Sequence, residues 1–132
     1  MILKPNTKIL LVEVEVWYQQ IFQMILQDLG YLKIETDGNG VTVVEKAREY
    51  LPHVILMDTH LPGQEGYEAC RQMRAEEWGK HMTILGMSTA GSFHSKWRDA
   101  GADGFFYKDV FLRYPNKLDE KIQQALEKYV II

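Results

Sequence analysis

Val54-Ile55-Leu56-Met57-Asp58 is a continuous apolar run that ends in a single carboxylate, and Thr59-His60-Leu61-Pro62-Gly63 follows it as a turn. A short apolar run with no polar alternation suits a strand covered on both faces, as in a parallel sheet. Ligands of open parallel sheets bind just outside the carboxyl ends of the strands, so Asp58 stands where chemistry is usually done. Asp is also common before loops as a turn residue, and the rest of the chain decides between the two readings.

Upstream, Lys8 to Glu13 is a second apolar run, and Glu15 to Leu29 carries Tyr18, Phe22, Ile25 and Leu29 on one helical face with Gly30 as its stop. Tyr31 to Thr36 is predicted as a strand, Asp37-Gly38-Asn39-Gly40 as a turn, and Val41 to Leu51 as a helix halted by Pro52. Downstream, Tyr67, Cys70 and Met73 mark a helix reaching about Gly79, Met82 to Met87 a fourth strand, and His94 to Ala100 a short helix. Phe105-Phe106-Tyr107 is the fifth strand, and Leu118, Ile122, Ala125, Leu126 and Tyr129 share one face of a final helix. Five strands alternating with five helices predict an α/β fold: right-handed crossovers and a parallel sheet flanked by helices on both sides.

The 132 residues suit one domain, 1–132, with a packed core over about residues 8–129. The chain is 46% hydrophobic and 25% charged, a globular and not a disordered balance. The lone cysteine, Cys70, cannot form an intrachain disulfide, and no window approaches the ~20 apolar residues of a membrane span. A cytoplasmic protein with no membrane partner is expected. A net charge of −3 with dispersed Lys and Arg gives no basic stripe, so direct nucleic-acid binding is not expected. His53, His60, His81 and His94 lack the spacing of a structural zinc site.

The strand ends bring together Glu13 and Glu15, Asp58, Ser88 and Thr89, and Lys108. This inventory suits phosphoryl chemistry on a carboxylate. Asp58 is the candidate nucleophile, the flanking acids would recruit Mg²⁺, and a hydroxyl and a lysine would hold the phosphoryl oxygens. Without a cation, an incoming phosphoryl group would meet several carboxylates at close range.

The segments Leu11-Val12-Glu13-Val14-Glu15, Met57-Asp58-Thr59-His60-Leu61-Pro62-Gly63, Met87-Ser88-Thr89-Ala90 and Ala100 to Asp109 resemble the receiver domain of two-component response regulators, of the chemotaxis-regulator type. The resemblance implies a flavodoxin-like fold with strand order 2-1-3-4-5. It implies that Asp58 is the phosphoacceptor, with Ser88 and Lys108 assisting it. It also implies Mg²⁺ held by Glu13, Asp58 and the backbone carbonyl of His60, and a histidine kinase or phosphotransfer protein as donor.

Three departures stand out. The second acid of the strand-one pair, a direct Mg²⁺ ligand in the family, is Val14 here, so weakened Mg²⁺ binding is expected, with Glu15 as the candidate replacement. Asp109 replaces the usual proline after the lysine, so a trans Lys108-Asp109 bond and a reshaped loop are expected. The stretch from Ser88 to Ala100 is short for the family, which predicts a trimmed fourth helix. Phe105 takes the family's switching-aromatic position, but its lack of a hydroxyl equally suits a core-edge residue.

The leading expectation is a receiver whose phosphorylation on Asp58 switches its contacts with a downstream protein. It is not expected to be an enzyme beyond slow self-phosphorylation from small donors and self-dephosphorylation. The alternative is a pseudo-receiver, an interaction module independent of phosphate, which the loss of an acid at Val14 favours. Asp58-Thr59-His60-Leu61-Pro62-Gly63 also matches a cobalamin-binding pattern, but after the wrong strand, and no phosphate loop after strand one supports a flavin. A dehalogenase-type phosphatase needs an acid where His60 stands. The apolar Val130-Ile131-Ile132 leaves open a homodimer, packing on the core, or the cut end of a longer chain.

Overall fold

The computed structural model describes residues 2–128. Its centre is the run ending in Asp58: β3 (Val54–Asp58) is buried at every position. On either side lie β1 (Lys8–Val12) and β4 (Thr83–Ser88), with β2 (Lys33–Asp37) and β5 (Gly104–Tyr107) at the edges. The five strands are parallel in the order β2-β1-β3-β4-β5.

Alternation along the strands divides the interior into two layers. Leu10, Val12, Ile55, Met57 and Ile84 face α2 (Thr42–Tyr50), α3 (Gly66–Arg74) and α4 (His94–Asp99). Ile9, Leu11, Val54, Leu56, Leu85 and Met87 face α1 (Val16–Asp28), α5 (Lys108–Arg113) and α6 (Pro115–Glu127). Each fully buried Leu, Ile or Met contributes roughly 1.5–3 kcal/mol relative to exposure. Cys70 lies in the first layer, where burial pushes its thiol up to about 12 and leaves it a small hydrophobe. Gly30 follows the end of α1 at φ +103°, the left-handed turn that lets Tyr31 N–H reach back to Leu26 O.

The predicted elements are present with three corrections. A further helix, α5, precedes the predicted final one, and the two stay separate because Pro115 has no N–H to continue a helix and Tyr114 before it is non-helical (φ −131°, ψ 74°). Six α-helices among the described residues therefore replace the predicted five, and the segment after Lys108 is helical instead of a reshaped loop. The helix predicted to reach Gly79 stops at Arg74 and continues as a 3-10 turn, Glu77–Gly79. The Arg74 guanidinium bonds the carbonyls of Gly79, Gly101 and Met82 and the carboxylate of Asp103, which folds the chain back instead of letting the helix run on. Strand two begins at Lys33, not Tyr31; Tyr31 is fully buried, with its hydroxyl donating to Asp119 at 2.6 Å.

The described residues contain no cis peptide bond, so Lys108-Asp109 is trans. α4 has six residues, as short as the compressed spacing requires. No helix among the described residues is long and apolar enough to cross a membrane. Tyr129 and the apolar terminus 130–132 lie outside the described residues.

Candidate functional site

At the carboxyl edge of the sheet, a cleft of about 320 Å³ is lined by Glu13, Val14, Glu15, Trp17, Tyr18, Asp58, Thr59, His60, Ser88, Thr89 and Lys108. The candidate residues from four strand ends therefore share one space. Asp58 is the last residue of β3 and Ser88 the last of β4, while Glu13 follows β1 and Lys108 follows β5 as the first residue of α5.

Lys108 is the centre of the cluster. Its Nζ lies 2.5 Å from Asp58 Oδ1 and 2.6 Å from Glu13 Oε2, and all three side chains are almost wholly buried. A second stabilising contact comes from Tyr18, whose ring centroid is 4.4 Å from the ammonium. Burial pushes the Lys108 ammonium toward deprotonation, but the two carboxylates outweigh it and raise its pKa. Glu13 is raised to about 7, first by burial and then by its contact with Asp58, against the opposing pull of Lys108. Near neutral pH the trio thus sits close to charge balance, which is the condition for keeping three ionisable groups out of water.

The backbone of the β1–α1 loop serves the same carboxylates. Val14 N–H donates to Asp58 Oδ2 at 3.3 Å, and Glu15 N–H donates to Glu13 Oε1 at 3.0 Å. Glu15 itself is the N-cap residue of α1, and its exposed side chain lies at the cleft rim, where β1 has already ended. Val14 is 45% exposed at the same rim.

The hydroxyls are engaged within the sheet edge. Ser88 Oγ donates to Ala90 O at 2.6 Å, and Tyr107 Oη donates to the next carbonyl, Gly91 O, at 2.8 Å. Thr59 Oγ1 donates to Met87 O at 2.9 Å and accepts from the buried Trp97 indole at 3.0 Å. His60 is exposed, with Nδ1 2.7 Å from Glu65 Oε2 and its ring edge-on to Phe93. Phe105 is 8% exposed and packs edge-on against His94 and Tyr107, so it is a core-edge residue in this conformation.

The sequence singles out Asp58, Glu13, Ser88 and Lys108, and the fold brings all four to the cleft. It does not reveal Tyr18 as the partner of Lys108, because Tyr18 falls on the apolar stripe of a helix, where packing is the expected role. Nor does it reveal the Trp97–Thr59 bond; the glycine inside strand four, Gly86, is the one available sign of a close approach there.

Mg²⁺ prefers hard oxygen donors, retains several waters, and commonly takes one or two carboxylates from a protein. Glu13 Oε2 and Asp58 Oδ1 both face the cation of the site, Lys108 Nζ, at 2.6 and 2.5 Å, so the cleft already holds two hard carboxylate oxygens around a single positive charge. Two carboxylates so placed fit a cation of this kind. Among the described residues, no group of three His, Cys, Asp or Glu side chains gathers to hold a metal, so the set is a minimal one.

Residues 9–123 match the response regulator receiver domain, and the chain belongs to that family, a component of two-component signal transduction. Chemotaxis protein CheY-3 of Vibrio cholerae serotype O1 is 27% identical over 130 residues, which cover 96% of this chain and 97% of that protein. Among solved structures, the receiver domain of the sensor histidine kinase PA1611 of Pseudomonas aeruginosa PAO1 superposes with a TM-score of 0.78. It is 25% identical over 92% of this chain and 98% of that one, and it carries a magnesium ion coordinated in its active-site cleft. The chemotaxis protein CheY4 of Vibrio cholerae aligns at a TM-score of 0.72 and 26% identity, over 84% of this chain and 97% of that one.

Proposed function

We propose that this chain is a single receiver domain that accepts a phosphoryl group on Asp58 from a histidine kinase or phosphotransfer protein and thereby changes its contacts with a downstream protein. The observation that carries the reading is the Lys108 ammonium 2.5 Å from Asp58 Oδ1, in a cleft that Ser88 also lines. In the transfer, Asp58 forms an O–P bond as the donor's bond to phosphorus breaks. Lys108 meets the phosphoryl oxygens, and Ser88 Oγ turns from Ala90 O toward them.

Mg²⁺ would be held by Glu13, Asp58 and the backbone carbonyl of His60, and it would neutralise charge that the phosphoryl group brings to two carboxylates. Val14 supplies no ligand where the family has an acid, so the affinity is lowered. Glu15, which lines the same cleft, is the candidate replacement. Slow phosphorylation from small donors and slow self-dephosphorylation are the extent of its own catalysis. The proposed setting is the cytoplasm.

The test is intact mass after incubation with acetyl phosphate, with and without Mg²⁺, alongside Asp58→Ala. A Mg²⁺-dependent gain of one phosphoryl group, absent in the variant, is the expected result. No gain at high Mg²⁺ favours the second reading, a phosphate-independent interaction module, to which the valine at position 14 also points.

A further inference from the structure

The acceptor chemistry leaves Trp17 without a task. It stands in the first turn of α1, 59% exposed, on the wall of the same cleft as Asp58. Its neighbour Tyr18 is fixed at two points, with its ring over Lys108 Nζ at 4.4 Å and its hydroxyl 3.5 Å from Asp109 Oδ1. Trp17 meets Tyr18 edge-on, with ring centroids 4.9 Å apart and planes at 76°. The two rings therefore form a step whose position is tied to the ammonium that faces Asp58, and whose outer indole is bare.

Resting on the receiver reading, we propose that this step seats the aromatic leaving group of the phosphoryl donor, the imidazole ring of a phosphorylated histidine. In an in-line displacement the leaving group lies on the far side of phosphorus from the attacking oxygen. Asp58 is at the floor of the cleft, so the leaving group lies at its mouth, where Trp17 is exposed. The Asp58 oxygen bonds to phosphorus, the P–N bond breaks, and its electron pair stays on the ring nitrogen. The other ring nitrogen already carries a proton, so the ring departs as neutral imidazole. Before transfer the phosphoimidazolium ring is a flat aromatic cation that can pack its ring on the indole, whereas the small ammonium of phosphoramidate offers charge but no ring to pack.

The experiment compares two small donors with P–N bonds, N-phosphoimidazole and phosphoramidate, on the full chain with Mg²⁺. Intact mass follows wild type, Trp17→Ala and Trp17→Phe. The ratio of second-order rate constants, imidazole donor over ammonia donor, is expected to fall about fivefold in Trp17→Ala and to return to within about twofold of wild type in Trp17→Phe. An unchanged ratio in Trp17→Ala overturns this inference and leaves the receiver reading standing. Failure of the wild type to take a phosphoryl group from either donor overturns both.

Discussion

The indole N–H of Trp97 donates to Thr59 Oγ1 at 3.0 Å, so α4 is bonded to the residue that follows the acceptor. The ring reaches Thr59 by lying over Gly86 of β4, where a Cβ would come within 2.3 Å of it. Small and large residues are thus exchanged between strand and helix: a bare backbone in β4 makes room for Trp97, the largest fully buried side chain among the described residues.

Gly86→Ala is therefore expected to cost about 2–3 kcal/mol by overpacking. Trp97→Phe, which lacks the N–H, costs about 1 kcal/mol from the lost bond to Thr59, in addition to lost packing. In a Trp97→Ala background the Gly86→Ala penalty shrinks, because the two positions share one space. Urea unfolding of wild type, the two alanine variants and their combination measures this coupling, and simple additivity would contradict it.

Lys108→Met removes the cation shared by Glu13 and Asp58, so the buried pair must either repel or take up a proton. The expected loss of stability at neutral pH is roughly 3 kcal/mol. Asp58→Asn keeps the Glu13–Lys108 pair and removes the like-charge repulsion, so it is expected to match or exceed wild type. Chemical denaturation in the presence of a chelator checks both, and a Lys108→Met loss below about 1 kcal/mol would show that the ion pairs contribute little.

The base of the sheet carries its own pH dependence. His53 Nδ1 accepts the Lys8 N–H at 2.9 Å, a role that a protonated imidazole cannot fill. Burial, then the charges of Lys8 and Lys33, hold its pKa below 6.5. The folded state binds fewer protons than the unfolded state between that lowered value and 6.5, so stability is complete above 6.5 and declines as pH falls through the window. His53→Gln should flatten this part of the stability profile; an identical profile in the variant would remove His53 as its source.

Val14→Asp restores an acid at the cleft rim. A third carboxylate ligand is expected to tighten Mg²⁺ binding by about tenfold, equivalent to roughly 1.4 kcal/mol. Titration calorimetry reads this directly. Equal affinities would mean that the metal does not approach position 14.

The parallel sheet is legible in the sequence because its strands are continuous apolar runs and its helices show periodic stripes; β3 and the Gly30 stop are examples. The site is legible because Glu13, Asp58, Ser88 and Lys108 each adjoin a strand end, a position that spacing alone fixes. Side-chain pairings across elements are not. Lys108 reaching both acids, and Tyr18 covering Lys108, depend on how α1 and α5 meet above the sheet, which no local pattern encodes. The break between α5 and α6 is written in Pro115, but the six residues of α5 are too few for an apolar period to show as a helix.

The carbonyls of Ala90 and Gly91 are adjacent, and each is gripped by a different hydroxyl, Ser88 from one strand end and Tyr107 from the next. The loop after β4 is in effect a clasp with two pins. A phosphoryl group that recruited Ser88, as the proposed function has it, would withdraw one pin and leave the loop hanging from Tyr107, the residue joined by a peptide bond to Lys108. On the proposed function, occupancy of the cleft would become slack in a stretch of surface backbone, and a partner would need only to test that slack to learn whether Asp58 is loaded.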